Sequence, residues 1–425
     1  MFNVALVGGG TVGSGLISIL EKRKKLIQDR SGIELNLALI CDKDTEKIKK
    51  LTSIPVTDNF EDVLSKKDID IVVELIGGTT IAYEIVKKSL LSKKTVITAN
   101  KALIAEKGEE LFQLASDNGV EIGYEASVGG AIPVIRTVKT GLVSNQFESV
   151  YGILNGTTNF ILSKMEEDNL EYSDALKKAQ ELGFAEKDPT FDVEGIDAAQ
   201  KLSILGGLVF DRKIPSSKIF TKGISKITKT EILFAKQLGY RIKLLGICRK
   251  HGDLIEARVH PAMIPLSHPI ANVMNEMNAV YFHSEFSGPT ILMGKGAGSL
   301  PTASAVVSDL VFYSSRIGKD KNSLEKNLFS PAEMMNPEES VLKFYLRFNT
   351  VDKPGVLGHI TDVLGNNNIS ISTVRQNESN KEPIEVIVIT HKSKERDILK
   401  SLKEIDEMTD IIKEKTILVR LQESL

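Results

Sequence analysis

A short acidic segment that ends in a lysine carries the residue types needed for proton transfer. It reads EKDPTFDVEGIDAAQK and spans residues 186–201. Asp197 and Lys201 stand four residues apart, so on a helix they share a face, where a carboxylate can hold an ammonium group beside a reacting hydroxyl. Glu186 and Asp192 remain available to bind a cationic group. The alternative interpretation is that the segment is only an acidic helix N-terminus with an ion pair and has no catalytic role.

The first residues of the chain form a glycine-rich turn between an apolar strand and an amphipathic helix. They read FNVALVGGGTVGSGLISIL, in which Gly8, Gly10 and Gly13 fit the pattern G-x-G-x-x-G. In a dinucleotide fold these glycines make the tight turn, admit the pyrophosphate and let the helix pack on the strand. The pattern predicts cofactor contacts that include Thr11 and Val12, and the alternative is a bare glycine-capped helix.

A second strand is predicted over Leu35–Cys41, and it ends at Asp42. A carboxylate at this place accepts hydrogen bonds from the adenosine ribose and repels a 2′-phosphate. Lys43 beside it can pair with such a phosphate. The turn therefore leaves the choice between NAD and NADP open.

Further strand ends predict where ligands of a parallel sheet lie. The apolar run Ile69–Ile76 is typical of a strand buried on both faces, and it leads into Gly77 and Thr79. The strand Thr95–Thr98 precedes Lys101, and the strand Val120–Tyr124 precedes Glu125. Because ligands bind at the carboxyl ends of parallel strands, we expect these residues near the cofactor or substrate. Lys101 gains this role only from its location, since a lysine past a strand is more often a surface residue.

The pattern changes beyond about residue 140. A strand over Phe147–Leu154 leads into Asn155, Gly156 and Thr157, and then into a helix. Unpaired N–H groups at such a helix start form a receptor for a carboxylate or phosphate, although an ordinary Thr N-cap explains the turn equally well. Later segments predict an antiparallel sheet covered by helices, with strands near Arg241–Cys248, Leu254–Val259 and Val280–Glu285 and a helix Ala303–Phe312 that returns to the first domain.

Composition limits the class of protein. The 425 residues suggest about three domains, and 54 basic and 56 acidic residues nearly cancel. No net field therefore favours nucleic acid or an anionic membrane. Cys41 and Cys248 are too few for a disulfide framework or a zinc site. With no apolar run of membrane-spanning length and no leader, we expect a soluble cytoplasmic protein.

The tail predicts a separate unit after a linker near Ser330–Glu339. Its elements follow the order βαββαβ, which is ferredoxin-like. The predicted ranges are Val341–Phe348, Val356–Leu364, Ile369–Arg375, Ile384–Thr390, Lys394–Leu402 and Ile411–Val419. The sequence VDKPGVLGHITDVLGNNNISI resembles an ACT domain, a module that binds amino acids at interfaces between subunits. The resemblance implies a ligand near Asp352, Gly355, Val356, Leu357 and Ile369, and an ACT unit that only dimerises is the alternative.

The predicted fold class is α/β with three units. A Rossmann-type parallel-sheet nucleotide domain covers residues 1–135, and helix 300–318 returns to it. An α+β substrate and dimerisation domain covers 136–325. A linker at 326–340 precedes the ferredoxin-like ACT domain at 341–421.

Several motifs together resemble the homoserine dehydrogenase family. They are GGGTVG, TANKALIA, YEASVGGAIPVI, GILNGTTNFIL, LGFAEKDPTFDVEGIDAAQKLSIL and GKGAGSLPTASAVVSD, in consistent order over roughly residues 1–320. The resemblance implies reversible oxidation of L-homoserine to L-aspartate 4-semialdehyde with NAD or NADP, in threonine and methionine biosynthesis. A non-enzymatic NAD-responsive sensor and another amino-acid dehydrogenase are the competing classes. The sensor has no need of the Asp197 and Lys201 pair, and the other dehydrogenase has no need of NGTTN and LGFAEKD together.

The resemblance also implies roles for individual residues. Lys201 matches the lysine that transfers the proton, Asp197 the carboxylate that orients it, and Lys101 a second active-site lysine. Glu186 and Asp192 match the family residues near the substrate amino group. The turn of residues 155–157 matches the region that receives the substrate carboxylate. Glu125, with the backbone carbonyls of Val128, Gly130 and Ile132, matches the family's site for a monovalent cation, usually sodium. The alternative is that this glycine-rich turn only connects two elements tightly. The resemblance further implies feedback regulation by L-threonine through the ACT domain. It also implies assembly into a homodimer or homotetramer.

Overall fold

A parallel sheet forms the N-terminal unit of the computed structural model, which describes residues 1–319, 330–376 and 383–423. The strands are β1 (Phe2–Val7), β2 (Leu35–Cys41), β3 (Val56–Thr57), β4 (Ile71–Glu74), β5 (Thr95–Thr98) and β6 (Ile122–Gly123). The helices are α1 (Thr11–Ser31), α2 (Thr45–Lys49), α3 (Phe60–Ser65), α4 (Ile81–Leu91) and α5 (Lys101–Asp117). The strand order β3-β2-β1-β4-β5-β6 is that of a dinucleotide-binding sheet, and the Rossmann prediction is confirmed.

Two glycines allow the first strand, turn and helix to pack closely. Gly8 has a φ of 102°, a conformation that side chains rarely adopt. A Cβ atom on Gly13 would lie 2.0 Å from the carbonyl oxygen of Gly8, so only glycine lets α1 approach β1. The turn thus has the geometry that the glycine pattern predicts.

The second unit contains a mixed sheet with helices packed against it. Its strands are β7 (Phe147–Ile153), β8 (Phe220–Thr221), β9 (Tyr240–His251), β10 (Leu254–Pro265), β11 (Met277–Ser284) and β12 (Gly288–Lys295). Its helices are α6 (Val134–Arg136), α7 (Gly156–Glu167), α8 (Tyr172–Glu181), α9 (Thr190–Val193), α10 (Ile196–Phe210), α11 (Lys229–Gln237) and α12 (Ser299–Ser314). The antiparallel strands confirm the prediction, which did not include β12. This strand reads GPTILMGK, and the Gly and Pro at its start weaken the strand signal.

Helix α12 returns to the nucleotide unit and packs along α1. The hydroxyl of Ser299 donates to the carbonyl oxygen of Thr11 at 2.6 Å. A Cβ on Gly15 would lie 2.7 Å from the Ser299 hydroxyl oxygen, so this second small residue of α1 is what admits the helix. The N-terminus of α12 therefore lies beside the glycine turn.

The C-terminal unit has the predicted ferredoxin-like topology. A short strand, β13 (Glu333–Met334), precedes it. Its own elements are β14 (Val341–Thr350), α13 (Val356–Asn366), β15 (Ile371–Gln376), β16 (Ile384–Thr390), β17 (Ser393–Lys394), α14 (Glu395–Asp406) and β18 (Ile412–Leu421). The strands follow the order β18-β14-β16-β15. Of the predicted linker at 326–340, residues 326–329 lie outside the described part of the chain, and β13 within it pairs with β10.

The C-terminal sheet continues the sheet of the second unit. Strand β18 pairs with β10, where Ala262 lies opposite Arg420 and Met263 opposite Leu421. Together with the shorter strands the two units share one 12-stranded sheet. The sequence pattern did not indicate this continuity, because a pairing between distant strands leaves no local signal.

Buried charges also join the C-terminal unit to the second unit. Arg258 of β10 and Arg420 of β18 both bind the carboxylate of Glu395. Arg347 of β14 binds Glu231 of α11, whose side chain is fully buried. Removing one partner of such a pair typically costs about 3–5 kcal/mol, so these contacts fix how the two units sit against each other. No helix of the described residues is long and apolar enough to cross a membrane.

Candidate active site

Helix α10 places the predicted acid–base pair on one buried face. It begins after Gly195, whose φ of 82° is left-handed, and Asp197 lies in its first turn. The ammonium nitrogen of Lys201 lies 2.8 Å from Oδ2 of Asp197 and 2.8 Å from the carbonyl oxygen of Leu154. These two bonds hold the lysine between α10 and the end of β7.

Lys101 joins the same carboxylate from the nucleotide unit. It is the first residue of α5, and the side chain of Asn100 caps this helix by accepting from the N–H of Leu103. Its Nζ lies 3.2 Å from Oδ1 of Asp197. Lys101 therefore contacts the buried acid where the two units meet, although its side chain is partly exposed.

The charge of Asp197 is fixed by its two lysines. Burial works against ionisation, yet the ammonium groups of Lys201 and Lys101 lower the pKa of Asp197 from 3.8 to about 2. The acid is therefore a permanent anion at neutral pH. As an anion it can orient and stabilise the two ammonium groups that it contacts.

The turn before α7 also faces this cluster. Nδ2 of Asn155 donates to Oδ1 of Asp192 at 2.7 Å and to Oδ2 of Asp197 at 2.9 Å. The Thr157 hydroxyl donates to Oδ2 of Asp192 at 3.1 Å. The N-cap is Asn155, which accepts from the N–H of Thr158, so the Thr N-cap interpretation is wrong. The structure brings the turn and both acids together.

Asp192 is half-buried and differs from Asp197 in its electrostatics. Burial raises its pKa and the nearby Asp197 raises it further, whereas hydrogen bonds from Asn155 and Thr157 act in the opposite direction. A cation beside Asp192 would relieve this cost. Glu186 lies apart from these contacts, since it is exposed and its carbonyl oxygen accepts from the side chain of Gln180.

The nucleotide-facing residues gather at the carboxyl ends of β1, β2 and β4. Oδ2 of Asp42 accepts from the N–H of Gly9 at 2.6 Å, and Oδ1 from the N–H of Asp44 at 2.8 Å. Gly10 precedes α1, and a Cβ there would meet nothing within 4 Å. Thr11 and Val12 begin the helix. The open helix start beside a carboxylate fits the pyrophosphate and ribose of a dinucleotide.

A buried glutamate orders the loop that holds Gly77 and Thr79. The carboxylate of Glu74 accepts from the N–H groups of Ile76 and Gly77 and from the Thr98 hydroxyl. Strand β4 therefore ends at Glu74, short of the predicted Ile76. Sequence reasoning missed Glu74 as a positioning residue, and the available signal was a carboxylate at the last place of an otherwise apolar strand.

Asn100 ties the same loop to the start of α5. Its Nδ2 donates to the carbonyl oxygen of Gly78 at 2.6 Å, while its Oδ1 caps the helix. Because Lys101 follows directly, the glycine loop and this lysine are positioned by one side chain.

The carboxylate of Glu125 faces backbone N–H groups. Its two oxygens accept from Ile135 and Arg136, each at 2.8 Å. Burial first, and then Asp309, raise the pKa of Glu125 to about 7. Gly129 and Gly130 both have positive φ, and Ile132 accepts from the N–H of Val134. No cluster of three or more His, Cys, Asp or Glu suited to a metal occurs in the described ranges.

The predicted regulatory residues surround the start of α13. Gly355 has a φ of 91° and is exposed, as is Leu357. Val356 and Ile369 have buried side chains within the C-terminal core, and β15 begins at Ile371 rather than Ile369. At these two positions only the backbone can meet a ligand, whereas Asp352, Gly355 and Leu357 lie at the surface.

Comparison with known proteins finds the same three parts. Residues 133–311 match the family described as homoserine dehydrogenase, residues 8–125 its NAD binding domain and residues 344–407 the ACT domain. A homoserine dehydrogenase of Neisseria gonorrhoeae is 40% identical over 99% of this chain and 98% of its own. One from Bacillus subtilis is 40% identical over 96% of each chain.

Solved structures agree with these relatives. A homoserine dehydrogenase from Thiobacillus denitrificans has a TM-score of 0.93 at 40% identity and covers 99% of this chain and 98% of its own. A hyperthermophilic archaeal homoserine dehydrogenase, solved with NADPH, has a TM-score of 0.63 at 25% identity and covers 75% of this chain and 99% of its own.

Proposed function

The chain belongs to the homoserine dehydrogenase family, and we propose that Lys201 transfers the proton when L-homoserine is oxidised to L-aspartate 4-semialdehyde. One observation carries the proposal: Lys201 is held at 2.8 Å by Asp197 and by the Leu154 carbonyl oxygen. An ammonium group has three N–H donors, so one donor is left for the substrate oxygen.

The same two hydrogen bonds serve both protonation states of Lys201. In semialdehyde reduction the third N–H of the ammonium group protonates the developing alkoxide. In homoserine oxidation the neutral amine keeps two N–H donors for Asp197 and Leu154, and its lone pair accepts the hydroxyl proton. When bound, the nicotinamide exchanges the hydride with the substrate carbon. The chain therefore has to orient the substrate and move one proton.

The substrate's charged ends fit the turns around this lysine. We assign the amino group to Asp192, because an ammonium ion offsets the cost of burying its carboxylate. Glu186, which is exposed, would add a second negative charge at the edge of this site. The substrate carboxylate goes to the N-terminal turn of α7, formed by Asn155, Gly156 and Thr157, where backbone N–H groups favour anions. Lys101 adds positive charge at the same place.

The direct test follows reduced-nicotinamide absorbance with L-homoserine and either cofactor. Wild-type protein should give homoserine-dependent reduction of the cofactor. Lys201→Ala should lower turnover about 10²- to 10⁴-fold, as loss of a general acid–base does, with cofactor binding unchanged. Lys187→Ala, an exposed lysine of the preceding loop, is the matched control. Turnover of Lys201→Ala within a few-fold of wild type would overturn the assignment.

Both cofactors are compatible with the turn at Asp42. Its carboxylate already accepts two backbone N–H bonds, and each oxygen keeps a lone pair for a ribose hydroxyl. Lys43 next to it is exposed and can meet a 2′-phosphate. We therefore expect activity with NAD and with NADP. We also expect Gly77, Thr79 and Lys101 to contact the nicotinamide side of the bound cofactor.

A monovalent cation, sodium, is proposed at the turn that follows Glu125. The Glu125 side-chain oxygens are engaged by Ile135 and Arg136, so the ligands would be backbone carbonyls of residues 125, 128, 130 and 132. Carbonyl oxygens suit a hard cation. Its contribution would be to fix the turn that joins the nucleotide unit to α6.

L-Threonine is the proposed regulatory ligand of the C-terminal unit. The exposed start of α13 at Gly355 offers backbone N–H groups to an amino-acid carboxylate, with Asp352 and Leu357 beside it. Strand β15 ends the 12-stranded sheet and is largely exposed, so it can pair with a second copy. We further propose that the protein is a homodimer or homotetramer. It would act in the cytoplasm, in threonine and methionine biosynthesis.

A further inference from the structure

A large cleft lies between the C-terminal unit and β8 of the second unit. Its volume is about 920 Å³, and its walls come from Phe220, Lys222 and Gly223 on one side and from α14 and β18 on the other. Volumes of this size accommodate small metabolites. The cleft contains none of the residues around Gly355.

The side chains around this cleft carry an excess of positive charge. Six basic residues line it against four acidic ones: Lys222, Lys226, Lys403, Lys413, Lys415 and Arg420, against Glu395, Asp406, Glu407 and Glu414. Glu395 is neutralised by Arg258 and Arg420, whereas Asp406, Glu407 and Glu414 keep their charges, so the lining carries two more basic than acidic groups. The local charge therefore favours an anion.

Four lysines of the cleft have no side-chain partner among the described residues. The side chains of Lys222, Lys226, Lys413 and Lys415 form no ion pair or hydrogen bond there. Lys222 is half-buried, and burial, followed by the charges of Arg420 and Lys226, lowers its pKa to about 8, although the Glu395 carboxylate acts in the opposite direction. An anion placed among these groups would remove their mutual repulsion.

The cleft wall touches the turn that carries the acids of the active site. A Cβ on Gly223 would lie 2.3 Å from the carbonyl oxygen of Val193 and 2.4 Å from Cα of Glu194. The N–H of Ile224 donates to the Val193 carbonyl at 2.8 Å. Asp192 precedes this turn and Asp197 follows it. A shift of the wall therefore displaces the segment between the two acids.

We propose that this cleft binds a small multivalent anion, a phosphate ester or a polycarboxylate, and that its occupancy alters substrate binding through Gly223 and the Val193–Glu194 turn. The binding half stands by itself, and the second half rests on the proposed function. Transmission between sites requires the ligand to favour one arrangement of the turn over another.

Calorimetry on the full chain tests the binding half. Inorganic pyrophosphate and citrate are titrated separately in saturating NADPH, so that the turn of Gly8 and Gly13 is filled. We expect at least one probe to bind wild type and to lose about 10-fold or more in affinity in Lys222→Gln/Lys415→Gln, since each lost charge contact contributes about 1 kcal/mol. Lys236→Gln/Lys250→Gln, two exposed lysines elsewhere, is the control of equal charge.

The outcomes are distinct. Binding of pyrophosphate alone assigns a phosphate ester, and binding of citrate alone assigns a polycarboxylate. No heat with either probe, or equal affinity in the Lys222/Lys415 variant, overturns the site.

The transmission half is tested by kinetics with the probe that binds. It should change the KM for homoserine at least 3-fold in wild type and leave the Lys222/Lys415 variant unaffected. Binding with unchanged kinetics overturns the transmission while the site stands. Absence of homoserine turnover in the unliganded enzyme would instead refute the proposed function and leave the calorimetric result valid.

Discussion

Replacing Asp197 by asparagine tests how the site controls a proton. The change keeps the size of the side chain and removes the charge that Lys201 contacts at 2.8 Å and Lys101 at 3.2 Å. The pKa of Asp197 falls from 3.8 to about 2, which corresponds to about 2 kcal/mol of net attraction. Asp197→Asn removes this attraction from both lysines.

The sign of the effect follows from which form of Lys201 reacts. Homoserine oxidation needs the neutral amine and should rise with pH, whereas semialdehyde reduction needs the ammonium group and should fall. Oxidation should therefore have the more alkaline optimum in wild type. Loss of a neighbouring anion favours the neutral amine, so both profiles of Asp197→Asn should move to lower pH. Turnover should also fall about 10²-fold, because the amine loses the charged partner that orients it.

The assay is kcat against pH in both directions for wild type, Asp197→Asn and the control Asp188→Asn. Asp188 is an exposed acid of the same loop that bonds Thr190. Its removal should leave both profiles in place. Unshifted profiles in Asp197→Asn, or coincident optima of the two directions in wild type, would refute the assignment of the proton to Lys201.

Three further predictions concern the cofactor, the glycine turn and regulation. Asp42→Ala should raise kcat/KM for NADP relative to NAD, because a charge that repels the 2′-phosphate is removed; an unchanged ratio means that Asp42 does not face the ribose. Gly13→Ala should lower the free energy of unfolding by about 1–3 kcal/mol and weaken NADPH binding, because the new Cβ meets the Gly8 carbonyl. The control Gly141→Ala, where a Cβ would meet no atom nearer than 3.9 Å, should change neither quantity. Denaturation measures the stability and fluorescence titration measures the NADPH binding. Millimolar L-threonine should inhibit wild type and the control Asp397→Asn but not Asp352→Asn in steady-state assays; an enzyme indifferent to threonine refutes the regulatory proposal alone.

The structure decides how regulation is best tested. A chain that ended at Asn336 would lack the C-terminal unit and would leave Glu231 and Arg258 without the partners they have in β14 and α14. Truncation would therefore expose this interface and change stability together with regulation. Substitutions at the start of α13 keep these pairs and separate loss of regulation from loss of stability.

The sequence by itself determined the elements whose signals are local. The glycines of the first turn need a positive φ at Gly8 and no side chain at Gly13, and both requirements are visible as residue types at fixed spacing. The four-residue spacing of Asp197 and Lys201 likewise follows from helix geometry. The βαββαβ order of the tail follows from alternating apolar runs and breaks.

Tertiary structure decided what distant segments do together. Lys101 and Asp197 come from different units, and Asn155 reaches both Asp192 and Asp197 only because β7 ends beside α10. The β10–β18 pairing and the Glu395 and Glu231 ion pairs join parts of the chain more than 100 residues apart. Such contacts are selected by the burial and charge balance of the whole fold, and no period or spacing in a single segment encodes them.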